Sequence, residues 1–107
     1  MTKTYNFIAD LATLSEIPAE GIHSRTLHND DDIKLVYFGF AQGEELSEHT
    51  ASMPAILEII RGEAELVLGE DTMHASAGSW VHMPANLPHS VLAKTPTILL
   101  LTLLKQG

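Results

Sequence analysis

The sequence predicts an all-β chain closed into a barrel or sandwich, with at most one short helix at its start. Three observations predict it. From residue 22 onward short strand-like runs follow one another, several of them apolar on both faces, as Leu35, Tyr37 and Gly39 alternating with Lys34, Val36, Phe38 and Phe40 and Leu66 and Leu68 alternating with Glu65, Val67 and Gly69 show. Those runs are cut at short intervals by Gly43, Gly62, Gly69 and Gly78 and by Pro84, Pro88 and Pro96, residues that end strands. The spacing between the cuts leaves no room for the crossover helices of a parallel sheet.

Taken in order, residues 6 to 17 hold Phe7, Leu11 and Leu14 at near-helical spacing behind Asn6 as a cap, which predicts one short helix or turn. After Pro18 and Gly21 the character changes, and strands are expected over 22–28, 33–41, 45–50, 54–61, 63–69, 72–77, 79–84, 89–94 and 97–105. Between the first two, Asp30-Asp31-Asp32 reads as an exposed turn, because consecutive carboxylates lack the spaced oxygens of a calcium loop. The final run, Ile98 to Leu104, is far short of the roughly 20 residues that cross a bilayer and reads as a doubly buried strand. Strands apolar on both faces need cover on the side that does not fill the barrel, from another sheet or another subunit, so a homodimer is expected.

A chain of 107 residues is expected to form one domain, with 1–21 as an N-terminal segment and 22–105 as the barrel. Cysteine is absent, which removes disulfides, thiolate metal sites and thiol nucleophiles. A net charge of −8 repels a phosphate backbone, so nucleic acid is not expected as a partner. Asp10 and Glu16 interrupt the apolar character of the start, no membrane segment is readable, and a cytoplasmic location is the expectation. There is no Gly-x-Ser-x-Gly elbow, phosphate loop or dinucleotide fingerprint.

The residues that could carry chemistry are histidines. His89 follows Pro84-Ala85-Asn86-Leu87-Pro88, in which two prolines fix φ and Asn86 tolerates a left-handed conformation, so its imidazole is presented from a stiff turn. His49 lies upstream within GEELSEHTASMPAILEIIRG, residues 43–62. Among its neighbours, alternation gives Glu45 rather than Glu48 the face of His49, although a solvated strand edge is the simpler reading of these acids.

Residues 43–62 and 78–93 resemble the two signature motifs of the cupin superfamily of small β barrels. The first motif, Gly, five residues, His-x-His, three or four residues, Glu, six residues, Gly, is met by Gly43, His49 and Gly62, with Ala51 and Ala55 where the second histidine and the glutamate stand. In the second, Gly78, Pro84 and His89 match, Asn86 replaces a glycine and Ala93 an asparagine. Together with Ser24-Arg25-Thr26-Leu27, the aromatic strand 37–40 and the leucine-rich last strand, the layout resembles small single-domain prokaryotic cupins of the conserved-barrel type along nearly the whole chain. The resemblance implies a jelly-roll-like double-stranded β-helix.

It also implies a site. Cupins of this kind hold a divalent metal such as zinc, iron, manganese or nickel on three histidines and a glutamate, and residue by residue only His49 and His89 carry over. Two imidazoles are one short of a catalytic set. Metal ligands and hydrogen-bonded barrel histidines stand level as readings of this pair. If the even face of strand 79–84 points inward, Trp80 and His82 line the cavity and His82 is the candidate third ligand; otherwise both sit on the surface or at an interface. Met53, Met83, Phe38 and Phe40 are expected as core or pocket lining. His23, His28 and His74 are expected outside. The leading expectation is a cupin that binds a small molecule at a reduced histidine site, with a weakly held divalent metal. Against it stand a metal-dependent dioxygenase or isomerase acting on a small carbonyl or sugar-derived compound, and a sensor without turnover.

Overall fold

The structure, a computed structural model, describes residues 5–14 and 17–105. Residues 1–4, 15 and 16, which fall in the expected N-terminal segment and helix, lie outside the described residues. Nine strands follow one another: β1 Ile22–Asn29, β2 Ile33–Phe40, β3 Glu45–His49, β4 Ala55–Arg61, β5 Glu63–Leu68, β6 Asp71–Ser76, β7 Trp80–Met83, β8 His89–Ala93 and β9 Thr97–Leu104. Period-two patterning with glycine and proline punctuation therefore located every one of them. The helix expected near residue 6 is reduced to a 3-10 turn, Leu11–Thr13, capped by Asp10 rather than Asn6: the Asp10 carboxylate accepts the N–H of Ala12 at 2.9 Å. No helix among the described residues is long and apolar enough to cross a membrane.

Two antiparallel sheets face each other, one ordered β1-β2-β9-β4-β7 and the other β3-β8-β5-β6. Strand pairing decides which side chains look inward. Tyr37 pairs Leu100 and Phe38 pairs Leu99, while Leu57 pairs both Leu101 and Val81. Phe40, Leu57, Ile59 and Leu99 of the first sheet thus meet Leu66, Ala75, Val91 and Ala93 of the second in one closed cluster, each 3% exposed or less. This is a β barrel of two antiparallel sheets around one core.

The opposite face of the larger sheet is where cover was expected from another sheet or another subunit. Tyr37, Ile98 and Leu100 lie on it, yet they are 1%, 0% and 5% exposed within a single chain. Beside part of that face lies the N-terminal segment, whose 3-10 turn is close to β4 and whose Tyr5, Phe7, Ile8 and Leu11 border a half-open recess with Leu27, Ile33, Leu35 and Leu100. An apolar stretch expected to be helical lies instead along a sheet.

At one end of the barrel the chain closes tightly. Gly62, between β4 and β5, has φ +89°, and a Cβ there would lie 2.2 Å from the carbonyl oxygen of Pro96. Only glycine fits both constraints.

Candidate functional site

His49 and His89 meet at the other end. His89 opens β8 on the same inward face as Val91 and Ala93, and is 7% exposed. His49 closes β3 directly opposite, paired with His89 in register, and is exposed. Their ring centroids are 4.1 Å apart at an interplanar angle of 59°. Two local features bring them together. Asn86 takes φ +67°, the left-handed conformation its side chain tolerates, and its N–H donates to the carbonyl of Ala51 at 2.7 Å, tying the 84–88 turn to the chain just after His49. A bulge between Leu46 and His49 then shifts the β3 register so that His49 reaches the inner face.

That bulge corrects the expected carboxylate. Strict alternation put Glu45 on the face of His49, but Glu45 pairs with Leu92 on the outer face, and the extra residue reverses the parity before His49 is reached. Nothing in composition announces a bulge.

Both imidazoles are anchored in the same way. His49 Nδ1 lies 2.8 Å from the carbonyl oxygen of Ser47, and His89 Nδ1 lies 2.9 Å from that of Leu87. A carbonyl only accepts, so each Nδ1 carries the proton and donates it, and in the neutral ring each Nε2 is left with a bare lone pair. Among the described residues neither Nε2 has a hydrogen-bond partner.

The remaining expected site residues divide. Met83, 2% exposed, is on the inner face at this end of the barrel, paired with Ala55, and Met53 sits half-buried in the connection that leads from His49 to β4. Phe40 does not belong to the site: it is fully buried opposite Thr97, at the start of β9, whereas the histidine end corresponds to the last residues of that strand. Phe38 packs against it, ring centroids 6.2 Å apart, and is core as well. For Trp80 and His82 the outward alternative holds. They pair with Glu58 and Ile56 on the outer face of the larger sheet, both are exposed, and the inward positions of β7 go to Val81 and Met83. Alternation separated the two sets, but a strand carrying tryptophan on one face and valine and methionine on the other does not announce which is inside. His82 therefore supplies no third ligand.

Outside the site, His74 bonds Glu63 at 3.1 Å on the surface, as its parity suggested. His28 donates toward Asp30 at 2.7 Å, and Asp30 also accepts the N–H groups of Ile33 and Asp32, so the acidic run forms the expected turn. The Ile33 N–H, then His28 and the Asp32 N–H, hold the Asp30 carboxyl well below the usual carboxylate range.

Comparison with known proteins settles the family. The family model for the cupin domain matches residues 36–103, more than half of the chain. The chain belongs to the cupin family. Among solved structures, this cupin is similar to a conserved protein of unknown function from Streptococcus pyogenes, with 27% identity, 96% of this chain and 90% of that one covered, and a TM-score of 0.83. It resembles in fold a cupin superfamily protein from Desulfitobacterium hafniense, at 23% identity over 97% and 94% of the two chains with a TM-score of 0.83. An enzyme shares the fold as well: salicylate 1,2-dioxygenase from Pseudoaminobacter salicylatoxidans, solved with gentisate, at 16% identity over 78% of this chain and 25% of that one, TM-score 0.74. No curated protein matches the chain.

Cupins often hold a metal, and the donor set here can be tested for one. Each Nε2 is free and held in the tautomer that a metal requires, which favours an ion. Ala51 and Ala55 cannot ligate, and among the described residues no three histidine, cysteine or carboxylate side chains come together. The residues present do not fit a complete catalytic metal centre, which takes three protein ligands.

Proposed function

We propose that this cupin binds a small molecule at the end of its barrel, holding it through the Nε2 atoms of His49 and His89. One observation carries the reading: both rings, 4.1 Å apart by their centroids, spend their Nδ1 proton on a backbone carbonyl, so each keeps an Nε2 acceptor that has no hydrogen-bond partner among the described residues. Such a pair selects a ligand rich in hydrogen-bond donors, such as a polyol or a hydroxy acid, and Ala51 and Ala55 bring no polar side chain of their own to compete for it. Met83 and Met53 offer an adaptable apolar wall beside it.

The same acceptors favour a second reading, in which a divalent ion sits weakly on the two imidazoles with water or ligand oxygen completing its shell. Under that reading a metal-dependent dioxygenase or isomerase remains the enzyme alternative, since a dioxygenase shares the fold. Calorimetric titration of tag-free protein with Zn²⁺, Ni²⁺ and Mn²⁺ separates the two. The expected result is no detectable binding to wild type, where weak binding would favour the second reading, and measurable binding to Ala51→His, which supplies a third imidazole. Stoichiometric metal that resists mild chelation in wild type, unchanged by Ala51→His, sinks the small-molecule reading.

A further inference from the structure

The outer face of the larger sheet ends in a strip that the histidine site does not use. Strand order puts β7 at the sheet edge, so Trp80 has a neighbouring strand on one side only, and that strand, β4, sets Glu58 directly opposite it in register. Cross-strand partners stand with their Cβ atoms about 4.5 to 5.5 Å apart, so an indole and a carboxylate share one patch. Next along the same face, His82 pairs with the half-buried Ile56.

Packing within the chain accounts for neither member of the pair. Trp80 is 59% exposed and forgoes the burial that an indole offers a core. Glu58 is half-buried between Trp80 on β7 and Leu100 on β9, and among the described residues it has neither an ion pair nor a hydrogen bond. The nearest charge on its own strand, Arg61, lies beyond the bulge that follows Ile59 and does not bridge to it. A half-buried carboxylate has thus given up part of its hydration without gaining a partner. A cation would supply one.

The patch also selects the kind of cation. A bare divalent ion asks for several oxygen ligands, and a primary ammonium is strongly hydrated, whereas a methylated ammonium is weakly hydrated and presents methyl groups that suit an indole face. We propose that Trp80 and Glu58 form a binding site for a free small quaternary ammonium compound of the choline type, its methyl groups on the indole and its charge beside the carboxylate. The chain's net charge of −8 draws such a cation in. Since β7 is only 4 residues long, the strip falls far short of the roughly 1,000 Å² of a protein interface, which favours a solute over a protein partner.

Trp80 is the one tryptophan of the chain, so its fluorescence reads the patch directly. Choline titrated into the full chain at constant ionic strength should change the emission saturably, with a dissociation constant of roughly 1 to 10 mM. Dimethylbutanol, the neutral isostere in which carbon replaces the nitrogen, should bind at least about fivefold more weakly. Glu58→Gln should raise the dissociation constant for choline at least about threefold with unchanged circular dichroism, and Trp80→Leu should abolish saturation transfer from the protein to the choline methyl groups. The absence of a saturable change, an isostere that binds as tightly as choline, or a Glu58→Gln protein as responsive as wild type overturns the proposal. The isostere titration uses wild type alone, so it decides even where a variant misfolds. Trp80 and Glu58 belong to one sheet and His49 and His89 to the other, so this proposal and that for the histidine pair fail independently.

Discussion

The two ends of this barrel differ in how completely the protein satisfies itself. Around Gly62 the chain leaves nothing open: Thr97 is fully buried with its hydroxyl directed at the carbonyls of Glu63 and Thr95, Phe40 and Ile98 are fully buried, and backbone approaches backbone with no space for a methyl group. Around His49 and His89 the protein fixes two rings and leaves their outer nitrogens unused. Each end has a left-handed residue at its turn, Gly62 at φ +89° and Asn86 at φ +67°. The closed end accepts glycine alone, whereas the open end accepts a side chain. The lesson is that stability and binding have been given to different ends of one sheet stack, so substitutions should sort by end.

The largest effect is expected at the closed end. Gly62→Ala combines the strain of a positive φ with a Cβ placed 2.2 Å from the Pro96 oxygen, a backbone atom that cannot swing aside. A loss of about 3 kcal/mol or more should follow, a large share of the roughly 5 to 15 kcal/mol that a domain possesses. Urea unfolding measures it. A loss below about 1 kcal/mol means that the closed end gives way easily and that the contrast between the ends is false.

How much of this contrast the sequence carries can be judged residue by residue. Gly62 and Gly78 punctuate an alternating pattern, so all nine strands were readable, because a period of two and a turn residue are local signals. His49 and His89 were readable through motif spacing, and their pairing in register bears out the nearness of the two. Glu45 and His82 were not readable. The first depends on a bulge, a non-local adjustment between β3 and β8, and the second on which face of β7 meets the core, which is set by the partner sheet rather than by β7. The role of residues 5–14 was hidden for the same reason: apolar spacing says that a segment must be covered or must cover, and only tertiary packing says what.

An intermediate effect is expected at His89. Although His89 is nearly as buried as the core, its alanine variant removes a ring whose one hydrogen bond among the described residues is to the Leu87 carbonyl. The loss should be about 1 kcal/mol, a fall of about 4 °C in Tm, together with loss of any response to added Zn²⁺. His49→Ala, at an exposed position, should lose the response with a smaller fall. A drop from His89→Ala as deep as that from Gly62→Ala, with Zn²⁺ shifting neither protein, would make His89 a core residue and remove the open end from the account of function.

The smallest effect should come from Asn86→Gly, and its smallness is informative. At φ +67° glycine removes the penalty that any Cβ incurs there and adds freedom to the unfolded chain, two terms of opposite sign. Stability should move by no more than about 0.5 kcal/mol, while Asn86→Ala, lacking the adaptability of the amide, should lose about 1 kcal/mol. Both variants keep the N–H that donates to Ala51, so the turn remains tied to the segment after His49 and the histidine pair keeps its geometry. Comparing Asn86→Ala with Gly62→Ala places one chemical change at both ends, and the gap of about 2 kcal/mol between them measures how much looser the open end is. If Asn86→Gly leaves the melt untouched but abolishes binding of a donor-rich ligand, the exposed amide itself touches the ligand, and the site extends from the two imidazoles onto the turn that presents them.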